Sequence, residues 1–63
     1  MTTMEVIKVA MAMEEDTYYA IVEALEEVTA DDEFVYSTDE VAEMFGVALE
    51  VVEYIDRAEH DDL

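Results

Sequence analysis

The chain reads as all-α, a small domain of three or four helices, and three observations carry that reading. Apolar residues recur at helical spacing from Thr17 to Val28 and again from Val41 to Ile55. Proline is absent and Gly46 is the sole glycine, so little in the sequence interrupts a helix. Capping sequences stand where helices would begin, at Ser37 and at Thr2. The expected helices cover about 4–14, 17–29, 38–45 and 48–58 of a single domain, 1–63.

In the first segment, Thr2 and Glu5 are spaced for a capping box, and Met4, Ile7 and Met11 form a stripe that nearly continues the one that follows. Its Met, Ala and Glu content favours helix, either separate or as the first half of one long helix. A short strand through Val6, Ile7 and Val9 is the alternative. Acidic residues at Glu14, Glu15 and Asp16 then break the stripe. Methionines at 1, 4, 11 and 13 leave the translation start open, so residues 1–14 are also readable as an accessory or oligomerisation segment.

Tyr18, Ile21, Val22, Leu25 and Val28 make one apolar face, with Glu23, Glu26 and Glu27 between them. "TADDEF" at 29–34 is a polar connection leading to a short extended stretch, Phe34 to Tyr36. Ser37 and Glu40 then occupy N-cap and N3, with Tyr36 and Val41 placed as a hydrophobic staple. The helix beginning at Thr38 should end at Phe45, because Gly46 supplies a left-handed residue. A last helix follows at once, with Val52 and Ile55 facing inward.

Thr38 to Ile55 resembles a helix-turn-helix unit of the excisionase and MerR type. The residues that carry the resemblance are Val41, Ala42, Gly46, Val47, Val52 and Ile55, with Phe45 as the preceding core position. Ala42 permits close helix approach, Gly46 turns the chain and the aliphatics fill the crossing. The resemblance covers about a third of the chain and implies that the second helix would read the major groove. The outer residues depart from it: Ala48, Leu49, Glu50, Glu53, Tyr54 and Arg57 include one cation. DNA binding relies on neutralising phosphates with Lys or Arg, so direct DNA binding is not expected.

Charge sets the functional expectation. The chain carries 19 Asp and Glu against two Lys and Arg, a formal net charge of −17, yet 54% of it is apolar, which argues for folding over disorder. There is no cysteine, which excludes disulfides and thiolate chemistry, and one histidine cannot build a zinc site. No basic n-region precedes the N-terminal apolar stretch, which Glu5 and Lys8 interrupt, so an intracellular, cytoplasmic protein is expected.

No enzyme, cofactor or metal site is expected. His60 with Asp56 and Asp61 lies at the terminus, where a lone histidine is usually just solvated. Asp31 and Glu33 lack the ligand spacing of a calcium loop. What the acids offer instead is a surface like a phosphate backbone: Glu40 with Glu43, Glu50 with Glu53, Asp56 with Glu59, and Glu23 with Glu26 or Glu27. Carboxylates at i, i+3 or i+4 hold their Cβ atoms about 5–6 Å apart. Ordinary solvation of helix faces explains any one pair; the near absence of lysine sets the whole apart.

The expected partner-binding residues are therefore Glu40, Glu43, Leu49, Glu50, Glu53, Tyr54, Asp56 and Glu59. The expected function is non-enzymatic binding of a basic nucleic-acid-binding protein, as a DNA-mimic inhibitor. Small acidic proteins of phages resemble this chain in size and charge, which implies an anti-restriction, anti-CRISPR or repair-inhibiting role in the host cytoplasm. The alternative is a helix-turn-helix DNA-binding regulator from a halophile. A homodimer, with the N-terminal stripe as its seam, is a further expectation. Val51 and Met44 belong either to a partner interface or to the chain's own core.

Overall fold

Two capping boxes and one left-handed glycine mark three of the helix ends in the computed structural model, which describes residues 1–60. The Thr2 backbone N–H donates to Glu5 Oε1 at 2.9 Å while the Glu5 N–H donates to Thr2 Oγ1 at 3.2 Å, and α1 runs over Thr3–Ala12. This charge-assisted contact holds the Glu5 carboxyl below its ordinary value, through the Thr2 backbone first and its hydroxyl second. The first segment is thus a helix in its own right. Met13 and Glu14 take extended conformations, which separates it from α2, Glu15–Glu26.

The second helix starts and stops earlier than its apolar spacing suggests. Val28 lies beyond it, 46% exposed, in an isolated antiparallel bridge with Phe34. Thr29 organises this connection: its hydroxyl oxygen accepts from the Asp31 N–H at 3.2 Å and the Glu33 N–H at 3.3 Å, and its own N–H donates to the Glu33 carbonyl at 2.8 Å. Asp32 closes the turn at φ 63°, a region that Asp tolerates better than most residues. Local side-chain bonding of this kind competes with helix, and here it ends α2 before Val28.

Ser37 and Glu40 repeat the reciprocal cap, each backbone N–H donating to the other's side chain at 3.2 Å, and α3 covers Thr38–Phe45 as the sequence implies. Gly46 sits at φ 66°, with its N–H donating to the Glu43 carbonyl at 3.3 Å and the Val47 N–H donating to the Ala42 carbonyl at 3.1 Å. That pairing is a Schellman ending, the reason the helix stops there. The final helix, α4, spans Leu49–His60, with the Ala48 carbonyl accepting its first hydrogen bonds.

α4 is the axis of the fold, packed against α1, α2 and α3, while α2 also packs on α3. Its Val51, Val52 and Ile55 have no exposure at all, and they meet Ile21, Val22 and Leu25 of α2 and Val41 of α3. Ala42 is buried as well, and Phe45, Val47, Tyr18, Tyr36 and Tyr54 pack around the edge. Val51 is therefore core, whereas Met44 is 54% exposed.

α1 corrects one expectation. Its buried face is Val6 and Ala10; Met4 and Met11 point outward, 65% and 79% exposed, and Ile7 is half-buried. Nearly every residue of the helix is apolar or small, so spacing alone does not single out the inner stripe, and packing against α4 selects Val6 and Ala10.

Candidate functional site

Among the described residues no charged or polar side chain is buried, so the carboxylates all lie outside the core. The reason is plain in the helices: core positions at i, i+3 and i+4 are apolar, and the acids fill the intervening ones. On α4, Glu50, Glu53 and Asp56 follow one another at steps of three residues. At about 1.5 Å rise per residue this advances along the axis by roughly 4.5 Å per carboxylate.

The expected partner-binding residues fall into linked groups. Glu50, Glu53 and Tyr54 line a depression beside α1, together with Thr3, Val6 and Arg57. Glu53, Asp56 and Arg57 line the next one with Thr38 and His60. Asp56 then shares a third with Glu40, at the start of α3. Glu40, Asp56, Glu53 and Glu50 thus form a continuous line from the head of α3 along α4. Glu43 adjoins the Glu40 end of this line, the two sharing a shallow cleft with Met44 and Tyr36. Leu49 is 37% exposed and Tyr54 is half-buried against the core, so Tyr54 is more a packing residue than its position among the outer side chains implies.

Several of these carboxylates already have partners. The N-terminal ammonium of Met1 pairs with Glu50 Oε1 at 3.2 Å. Glu59 lies off the line, its Oε2 accepting the Tyr18 hydroxyl proton at 2.8 Å and tying α4 to α2. Desolvation, and then the Glu59 carboxylate, push the Tyr18 hydroxyl up to about 12. Glu40 serves the α3 cap.

His60 is better held than a terminal histidine is expected to be. α4 extends through it, and the ring bridges two helices: Nδ1 lies 2.7 Å from Asp56 Oδ1 and Nε2 lies 3.3 Å from Glu26 Oε2 at the end of α2. The Asp56 hydrogen bond, opposed by desolvation and aided by Glu26, raises the imidazole above its ordinary value. The ring is 38% exposed, so the charge pairs it makes are well screened. Asp61, its other expected neighbour, lies outside the described residues.

Chemically the arrangement offers many carboxylate acceptors. Among the described residues no group of three or more His, Cys, Asp or Glu side chains has the geometry to hold a metal ion, and no helix is long and apolar enough to cross a membrane. Phe34 and Tyr36 escaped the sequence reading as surface residues. Phe34 is 69% exposed, and Tyr36 lines a cleft with Met44. Two aromatics flanking a valine in a non-helical stretch were the available signal. Comparison of the chain with protein-family models, curated proteins and solved structures produced no match.

Proposed function

We propose that this chain is a non-enzymatic acidic protein that binds a basic, nucleic-acid-binding protein by presenting carboxylates where that protein's groove accepts phosphates. The observation that carries the reading is the line Glu40, Asp56, Glu53 and Glu50, exposed except at the half-buried Asp56, on a chain with a net charge of −17. Each like-charge neighbour on a helix costs about 0.2–0.5 kcal/mol. Repeated along α4, that cost is offset when a cationic groove replaces diffuse counterions. The α3–Gly46–α4 pair, read as helix-turn-helix-like, carries the row across two packed helices.

Small acidic proteins that resemble this one in size and charge serve phages as inhibitors of host restriction, CRISPR or repair enzymes. We place this chain in that role, in the cytoplasm of the host cell. The test is charge reversal: Glu50→Lys with Glu53→Lys should abolish partner binding while leaving helix content by circular dichroism unchanged. Undiminished affinity contradicts the proposal.

One observation favours the alternative, a helix-turn-helix DNA-binding regulator of a salt-adapted organism. Exposed carboxylates occur on all four helices and on the 27–37 connection instead of on one face. Against it, the outer side of α4 carries Arg57 as its only Lys or Arg, and α1 lies along that side at Glu50 and Tyr54. A salt-adapted chain should lose its helices when salt is diluted, whereas the proposed inhibitor should keep them.

A further inference from the structure

The row on α4 can steer a basic partner but offers little to grip, since Leu49 is its most accessible large apolar residue. The surface that adjoins its Glu40 end supplies grip. We infer that the cleft between α2 and α3, floored by Tyr36 and Met44, anchors a basic segment of a partner protein. That segment would insert an apolar side chain and lay lysines or arginines over the carboxylate rim. The inference rests on the proposed function and adds the place where its partner is held.

Tyr36 lines three adjoining depressions and Met44 two of them, so the two side chains form one continuous floor. Tyr36 is half-buried and packed on the core, which fixes it. Met44 is 54% exposed and flexible, a side chain that adapts to the group set against it. At one end Phe34 and Val35 add exposed apolar surface, 69% and 39% accessible. A contiguous apolar patch of this kind, with a polar rim, marks an interaction surface.

The rim decides the occupant. Glu23 on α2 and Glu27, the extended residue that follows the helix, face Glu43 on α3 across the floor. None of the three makes a hydrogen bond or ion pair through its side chain among the described residues. Neither Lys8 nor Arg57 lines the cleft. A second copy would bring the same rim and a net charge of −17, and a nucleic acid or an anionic lipid surface would be repelled in the same way. A basic segment with an apolar anchor is complementary on both counts: the anchor fills a desolvated centre while the charges set orientation and encounter rate.

The probe is a synthetic lysine-rich peptide with a leucine stripe at helical spacing, compared by fluorescence anisotropy at physiological salt with a scrambled isomer of the same composition. The striped peptide should bind about tenfold tighter or better. Met44→Gln should remove that advantage; because Met44 is exposed, the fold should survive, and Phe34→Ser offers a second, more exposed site. Glu23→Gln, Glu27→Gln and Glu43→Gln together should weaken both peptides and flatten their salt dependence.

Glu50→Lys with Glu53→Lys should leave the striped peptide's advantage intact. Equal affinity for the two peptides, lost on that α4 charge reversal and untouched by Met44→Gln, overturns the cleft and leaves the proposed function standing. Sedimentation showing a dimer that Met44→Gln dissociates overturns it in favour of a second copy. Failure of both peptides to bind, with retention of the chain on immobilised DNA, removes the cleft and the proposed function together.

Discussion

α4 and α1 pack against each other, yet they are built on opposite terms. α4 alternates carboxylates with aliphatics and buries Val51, Val52 and Ile55 without remainder. α1 is the more apolar helix and buries only Val6 and Ala10, leaving Met4 and Met11 in water. Hydrophobicity summed over a helix therefore does not measure how firmly it is held. What matters is a single apolar stripe made unambiguous by charged residues on either side, and α4 has one where α1 does not. The acids of α4 thus do two jobs, selecting the buried face and forming the outer one.

The comparison breaks most visibly at the core. Ile55→Ala should cost about 2–5 kcal/mol, enough to unfold much of a domain this small, while Met11→Ala should change stability by no more than about 0.5 kcal/mol. Urea denaturation followed by circular dichroism reads both. Comparable losses would mean that α1 contributes to the core as much as α4 does.

The two capping boxes sharpen the contrast, because their geometry is nearly the same. Ser37→Ala should lower global stability by about 1 kcal/mol, since α3 is packed between α2 and α4. Thr2→Ala removes an equivalent cap from a less anchored helix, so its effect should appear as faster hydrogen exchange in α1 before it appears in global unfolding. Equal shifts in the urea midpoint would show that α1 unfolds only with the rest.

These caps also show what could be read in the sequence. Ser37, Glu40 and Gly46 have local chemistry that fixes both ends of α3, and the boundaries follow from it. Val41, Val52 and Ile55 were legible for a related reason: charged neighbours leave them only one side to face. The outward turn of Met4 and Met11 was not legible, because choosing among several apolar stripes requires the position of α4. The early end of α2 depends on Thr29 gathering two amides, a competition that periodicity does not record. At the candidate site, the row on α4 was visible as spacing. The cleft at Tyr36 and Met44 was not, since it forms from residues brought together by the α2–α3 packing.

The smallest effect expected is at His60, where α4 meets the end of α2. Its folded value is raised, so the pair with Asp56 and Glu26 contributes stability that is fully present below the ordinary imidazole value of 6.5 and is lost as pH rises through the raised one. Thermal melts across that window should show a decline that His60→Gln removes. A variant with the same decline would place its cause among the other groups.

The most direct test of the central claim is recovery of a partner from cell lysate at low salt, repeated at high salt and with competing DNA. Recovery of a basic nucleic-acid-binding enzyme that salt and DNA both displace is the result expected of a chain whose carboxylates stand in for phosphates. Failure to recover any such protein, together with retention of the chain on a DNA column at high salt, would contradict the claim and return the α3–α4 pair to DNA reading.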